Sequence, residues 1–226
     1  MANNLSEFEN RIGYSFKDKK LLKLALTHSS YAYERKLKDE PAECNERLEF
    51  LGDSVVSLIV SEFLYNNFKF AEGELSKLKN KVVAGVSESE FSTKIGIGSF
   101  LLLGKGEEAS GGRTKRKLLE DAFEALTGAI YLDGGFEAAR AFALPYLKDE
   151  DNVDYKTLLQ ELIQKNPGSR IEYKILSESG PDHDKIFECG VFIDSNLYGT
   201  GVGRSKKLAE KQAAKLALAY FGEKTD

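Results

Sequence analysis

Residues 45–65, NERLEFLGDSVVSLIVSEFLY, read as one long helix that carries three acids near its start. At about 100° per residue, Glu46, Glu49 and Asp53 (i, i+3, i+7) fall within one narrow stripe, while Leu48, Leu51, Val55, Leu58 and Ile59 take the far side. Acids in a first turn complement the helix dipole, and a solvated acidic face is common, so Glu46 alone carries no functional weight. Phe50 lies on the same stripe, however, and an apolar ring there suits a face that a partner covers.

A second segment repeats the arrangement. In KLLEDAFEALTGAIYLD, Asp121 and Glu124 are one turn apart with Gly128 on their side, while Leu119, Phe123, Leu126 and Ile130 point elsewhere. If the two stripes face each other, four carboxylates converge: Glu49, Asp53, Asp121 and Glu124. Like charges at close range either raise their pKa values or require a cation. Oxygen-only ligation suits Mg²⁺ or Mn²⁺, and such a site performs phosphoryl chemistry. On spacing alone, a metal site and a solvated acidic face both stay open. A di-iron carboxylate centre needs Glu-x-x-His pairs, and His28 and His183, the only histidines, are not so placed.

Outward from these segments, apolar residues recur at helical spacing from Glu7 to about Lys148, as in KLLKLALTHSSYAY and ELSKLKNKVVAGVSESEFSTKIGI. Gly73, Gly96 with Gly98, Gly111 with Gly112 and Gly134 with Gly135 punctuate the pattern, and 103–117, LGKGEEASGGRTKRK, reads as a Gly-rich basic loop. Its Arg113, Lys115, Arg116 and Lys117 precede Asp121 and are candidates to hold phosphates there. The acidic stretch KDEDNVDY marks a linker at 149–154. Beyond it come a helix (YKTLLQELIQK), three alternating stretches (RIEYKILSES, KIFECGVFID, NLYGTGVGR) and a second helix (SKKLAEKQAAKLALAYF). The expected fold is therefore mostly α: an all-helical domain over 1–148, then a small α-β-β-β-α domain over 155–226.

Composition sets the outer bounds. The 226 residues are 42% hydrophobic, enough for a substantial core. No stretch is apolar enough to span a membrane, and the start lacks the pattern of a secretory signal, so the expected location is the cytoplasm. Cys44 and Cys189 have no Cys or His at metal-ligand spacing and are expected as reduced thiols. Nothing calls for an organic cofactor or a membrane partner. A net charge of -4 argues against a nucleic-acid partner until its distribution is considered.

Residues 203–215, GRSKKLAEKQAAK, hold five basic side chains and one acid, Glu210. Ser205 is a natural N-cap, yet Lys206 and Lys207 follow at once, where the helix dipole disfavours cations. Amide donors and lysines at a helix N-terminus make an anion site, and Lys207, Lys211 and Lys215 (i, i+4, i+8) extend it. Leu208, Ala209, Ala213, Leu216 and Tyr220 are expected to face the sheet. Phosphates are the natural ligand.

These segments carry a family resemblance. NERLEFLGDSVV closely resembles the ribonuclease III signature, LEDAFEALTGAIYLD resembles that family's second acidic segment, and the tail resembles a double-stranded RNA-binding domain. The resemblance implies a homodimeric, Mg²⁺-dependent endonuclease, with Mn²⁺ able to substitute. Such an enzyme cuts double-stranded RNA to 5′-phosphate and 3′-hydroxyl ends with short 3′ overhangs, and it processes ribosomal RNA precursors and structured messenger RNA. It implies Glu49, Asp53, Asp121 and Glu124 as metal ligands, Asp53 and Glu124 foremost in catalysis. Glu46 and Glu72, the latter in EGELSKLK, match further acids of the cleavage valley, and Phe50 matches an aromatic that enters a socket on the partner subunit. His28, in ALTHSSYAY, is read as structural. In the small domain the resemblance implies that Thr157, Gln160, Glu161 and Gln164 reach the shallow minor groove, as does His183 from its loop, and that Lys206, Lys207 and Lys211, beside Ser205, straddle phosphates. A catalytically silent duplex-RNA binder and a helical nucleotide pyrophosphatase are the alternatives. The presence of all six acids favours the enzyme over the first, and the RNA-binding tail argues against the second.

Overall fold

The computed structural model describes residues 5–85, 88–147, 155–164, 168–181 and 184–223. The linker expected at 149–154 and His183 lie outside the described residues. The chain divides into two compact units, Met1–Val60 with Val86–Asn152, and Ser61–Gly85 with Val153–Asp226. Compactness thus groups 61–85 with the C-terminal residues, where composition placed them with the helical part.

The described helices of the N-terminal part are α1 (Leu5–Ile12), α2 (Lys19–Ala25), α3 (Ser29–Lys36), α4 (Glu46–Asn67), α5 (Glu72–Gly85), α6 (Glu88–Ile95), α7 (Lys105–Ala109), α8 (Arg116–Gly134) and α9 (Phe136–Leu147). The expected run KLLKLALTHSSYAY is two helices, because the chain leaves α2 at its C-cap Leu26 and His28 starts the next. Its Nδ1 accepts the Ser30 backbone N–H at 3.2 Å as the N-cap of α3, a structural role. Gly96, Gly111 and Gly135 take left-handed φ at turns, whereas Gly73 lies inside α5 and breaks nothing. Stretch 103–117 is not an open loop: it holds α7 and a 3-10 turn over Gly112–Thr114.

α8 forms the centre of the first unit. Residues from Ala122 to Ile130 are almost continuously buried, with Phe123 fully enclosed. Phe123 packs edge-on to Phe91 of α6 at 5.5 Å between centroids and tilted against Phe142 of α9 at 5.4 Å. The C-terminal end of α8 is tied to the chain start. Asp133 accepts hydrogen bonds from the Tyr14 hydroxyl (2.7 Å) and from the backbone amides of Lys17 (2.9 Å) and Asp18 (2.8 Å). These donors hold the Asp133 carboxyl low against the effect of burial, while burial and that same carboxylate push the Tyr14 phenol up to about 12. One expectation fails here: Leu58 is 54% exposed, although the wheel placed it with the core residues of α4.

The C-terminal module begins with α10 (Tyr155–Gln164). It continues with β1 (Ile171–Ser179), β2 (Ile186–Ile193) and β3 (Asn196–Gly203), and ends with α11 (Lys206–Glu223). The strands form one antiparallel sheet in the order β1-β2-β3. Ile193 pairs with Asn196 across a two-residue turn in which Asp194 (φ 49°) and Ser195 (φ 71°) are both left-handed, the geometry that matches strand twist. Alternate residues Cys189, Val191 and Ile193 are buried, and Leu159 and Ile163 of α10 join Ala209, Ala213, Ala217 and Leu218 of α11 in the core.

Candidate metal centre and nucleic-acid interface

The acidic stripe of α4 is positioned by the residue before it. Asn45 is buried; its backbone N–H donates to the Thr27 carbonyl at 2.9 Å, and its own carbonyl accepts from the amides of Leu48 and Glu49, each at 2.9 Å. Two glycines then bring α4 onto α8. A Cβ on Gly52 would lie 1.8 Å from the Glu124 carbonyl oxygen, and one on Gly128 would lie 2.4 Å from that of Leu48. Only backbones without side chains can meet so closely. The acids flanking this contact are therefore forced together.

Glu49, Asp121 and Glu124, all half-buried, each offer a carboxylate oxygen within 4.8 Å of the others. Burial, then the charge of Asp53, push the Glu124 carboxyl up to about 7, with Glu49 and Asp121 adding and Lys117 opposing. Glu49 is raised by burial first and by Asp121 next, with smaller contributions from Glu46 and Asp53. Lys117 Nζ lies 2.6 Å from Asp121 Oδ1. That oxygen is buried, and the ammonium meets it as a close ion pair. Its contact with Asp121 raises the Lys117 ammonium pKa against the effect of burial. Hard oxygen donors, mutual repulsion and a buried carboxylate oxygen already met by an ammonium together fit a divalent cation such as Mg²⁺ or Mn²⁺.

Not every expected acid joins this trio. Asp53 is exposed one turn along α4, outside the three that meet within 4.8 Å, and acts on Glu124 through its charge. Glu46 is likewise exposed and is felt by Glu49. Glu72 opens α5 in the other compact unit, where the Ser76 hydroxyl donates to its carboxylate at 2.8 Å. Phe50 is 79% exposed on the acidic face.

The basic cluster of 113–117 is largely engaged within the fold. Arg113 donates to the carbonyls of Gly98 (2.8 Å) and Leu101 (3.0 Å) and pairs with Glu108 (2.6 Å), so it staples a turn. Lys115 pairs with Glu107 and Arg116 with Glu120, both at 2.6 Å. Sequence reasoning missed Asn45, Gly52 and the role of Lys117. The spacing of Lys117 to Asp121 (i, i+4) was the available signal for the last.

In the small module Thr157, Gln160, Glu161 and Gln164 are all exposed on α10. Ser205 caps α11, its hydroxyl oxygen accepting the Leu208 amide at 3.2 Å, and Lys206 and Lys207 stand exposed in the first turn. Lys206 Nζ lies 5.8 Å from the Phe187 ring centroid. Lys211 is half-buried, and Lys215 turns toward Tyr155, with Nζ 5.8 Å from its ring centroid. The one acid of the segment, Glu210, is neutralised by Lys156 at 2.6 Å, which ties α10 to α11. Leu216 and Tyr220 meet β3 as expected, Tyr220 packing edge-on to Tyr198 at 5.2 Å and the Leu216 Cβ lying 3.3 Å from a Cβ built on Gly199, yet they stay 51% and 36% exposed at the edge of that face. Ala209 and Ala213 are buried in the seam as expected, with Ala214, Ala217 and Leu218 beside them. Among the described residues no helix is long and apolar enough to cross a membrane.

Residues 18–150 match the Ribonuclease-III-like family model, and residues 155–221 match the double-stranded RNA binding motif. A helical unit with converging acids, followed by such a module, defines a double-stranded RNA endonuclease. The chain belongs to the ribonuclease III family. It is 47% identical over 223 residues to Ribonuclease 3 of Pelotomaculum thermopropionicum, covering 95% of this chain and 92% of that one. It is 48% identical over 227 residues to Ribonuclease 3 of Caldanaerobacter subterraneus, covering 96% and 98% respectively. The solved nuclease domain of ribonuclease III from Campylobacter jejuni, described as flexible in a region involved in dimer formation, superposes with a TM-score of 0.58 at 43% identity. It covers 66% of this chain and 98% of that one.

Proposed function

We propose that this enzyme hydrolyses phosphodiester bonds in duplex RNA with Mg²⁺ bound by the α4–α8 acids, leaving 5′-phosphate and 3′-hydroxyl ends. The observation that carries the reading is the meeting of Glu49, Asp121 and Glu124 within 4.8 Å across a glycine-tight helix contact. Divalent ions held there would polarise the scissile phosphate and lower the pKa of an attacking water. Glu49, Asp121 and Glu124 are the holding ligands. Asp53 completes the set from the solvent side, where substrate enters, and Glu46 and Glu72 serve as further acids of the cleavage valley.

The basic module delivers the substrate. Lys206 and Lys207, beside the capped amides of α11, take phosphates, Lys211 extends the contact, and Thr157, Gln160, Glu161 and Gln164 reach minor-groove hydroxyls together with His183. Shape is read more than sequence, which suits ribosomal RNA precursors and structured messenger RNA in the cytoplasm. The working form is a homodimer in which the exposed Phe50 ring enters the partner; burying it is worth about 1.5–3 kcal/mol per subunit.

A duplex RNA digest tests the reading. Cleavage is expected with Mg²⁺ or Mn²⁺, and none with chelator, with Ca²⁺, or in Glu124→Gln, while duplex binding persists in all three. Binding without cleavage in Mg²⁺ and in Mn²⁺ would instead establish a silent binder, and cleavage in chelator would remove the metal from the account.

A further inference from the structure

We propose that Lys117 is a built-in stand-in for the divalent ion: it neutralises the acid seam in the metal-free enzyme and gives way when metal enters. The inference rests on the reading of Glu49, Asp121 and Glu124 as metal ligands. Lys117 is the second residue of α8, and its Nζ reaches one turn along to Asp121 Oδ1 at 2.6 Å. That oxygen is buried and otherwise has no aligned hydrogen-bond partner. The same ammonium acts electrostatically on Glu49 and Glu124, so one lysine faces all three acids of the seam.

Helix energetics alone do not favour this residue. A cation in the first turn opposes the helix dipole, and a lysine placed N-terminal to its acid is the weaker order of an i, i+4 pair. Its basic neighbours act elsewhere: Arg113 binds the carbonyls of Gly98 and Leu101, Lys115 pairs with Glu107, and Arg116 pairs with Glu120 outside the trio. The charge of Lys117 is therefore matched to the seam. A lysine is also suited to leaving. Its ammonium is a point charge on a flexible stem, and the side chain is 72% exposed, so the head can swing into water with little loss of packing.

Two linked consequences follow. Without metal, Lys117 offsets repulsion among the carboxylates; with metal, it competes for the same oxygens. Its removal must lower the stability of the metal-free protein and tighten metal binding. A lysine that merely supports α8 would, when removed, weaken both together.

The test is a Mn²⁺ titration by calorimetry with thermal unfolding in chelator, on the full chain, for wild type, Lys117→Met, Lys117→Arg and Arg116→Met. Expected for Lys117→Met are a lower melting temperature in chelator and a Kd for Mn²⁺ roughly 1.5- to fivefold tighter, the range of an exposed ion pair, shrinking at high salt. Lys117→Arg keeps the charge and should stay near wild type, and Arg116→Met should move the Kd less than Lys117→Met does. Unchanged or weaker Mn²⁺ binding by Lys117→Met overturns the inference. Lys117→Gln repeats the measurement if the Met variant folds poorly. If wild type binds no Mn²⁺, the metal reading itself fails, an outcome distinct from wild type and Lys117→Met binding equally.

Discussion

The two helices proposed to carry function, α8 and α11, are seated by the same device and use it to opposite ends. α8 meets α4 where Gly52 and Gly128 leave no room for a Cβ. α11 meets β3 at Gly199, Gly201 and Gly203, where a Cβ on Gly201 would lie 2.3 Å from both the Ala209 carbonyl oxygen and the Ala213 amide nitrogen. On α8 the acids Asp121 and Glu124 border the seam and are half-buried in it; on α11 the seam is alanine and leucine, and Lys206 and Lys207 stand in water. A small cation needs ligands fixed to within tenths of an ångström, and only a rigid, partly dry contact supplies that. A duplex backbone needs positive charge at the right spacing, which an open surface supplies without burying like charges.

The sharpest challenge to this contrast is to fill each contact in turn. Gly52→Ala places its methyl 1.8 Å from a carbonyl oxygen. It is expected to cost about 3 kcal/mol or more in denaturant unfolding and to abolish Mn²⁺ binding. Gly201→Ala should impair duplex binding severely while leaving the Mn²⁺ titration intact. Loss of metal binding in Gly201→Ala would show that the two seams are not independent.

A second experiment asks whether the carboxylate seam holds a proton in place of metal. Glu124 is raised from 4.5 to about 7, so below about pH 7 the metal-free fold keeps a proton that the unfolded chain releases above about 4.5. The sign follows: the stability contributed by this group is full below about pH 4.5 and is lost as pH rises through about 7. Mn²⁺ uptake at pH 6 should therefore expel a proton, and at pH 8.5 it should not; calorimetry in buffers of differing ionisation enthalpy reads the difference. Equal proton release at both values would place the titration elsewhere.

The mildest effect belongs to the basic surface. Lys207→Ala should weaken duplex binding across all sequences and reduce the slope of log Kd against log salt by about 1. An unchanged slope would mean that Lys207 touches no phosphate.

The helical wheel of α4 was enough to find the acid stripe and to set Phe50 apart from the core, because both depend only on the 3.6-residue period. It misplaced Leu58, since periodicity says which way a side chain points and not how far the neighbours reach around the helix. The same limit hides that Leu216 and Tyr220 of α11, although they meet β3, stay partly exposed at its edge. Convergence of α4 with α8 was a supposition in the sequence, and what enforces it is a property of absent side chains, Gly52 and Gly128. The separation of Asp53 from the trio depends on where the two helices cross, which spacing along either one does not encode. The cations of 113–117 looked available for phosphates because two of their partners, Glu107 and Glu108, are brought to Lys115 and Arg113 by α7 and a turn that the sequence reading took for open loop, while Glu120 meets Arg116 one turn along α8.

The residues ahead of position 18 carry a lesson for engineering. They fall outside the stretch matched by the Ribonuclease-III-like family model, yet Phe8 is wholly enclosed, and Tyr14 and Lys17 grip Asp133 at the end of α8. A chain trimmed to the matched region would free the far end of the very helix that presents Asp121 and Glu124. The boundary of the family model is therefore not the boundary of folding.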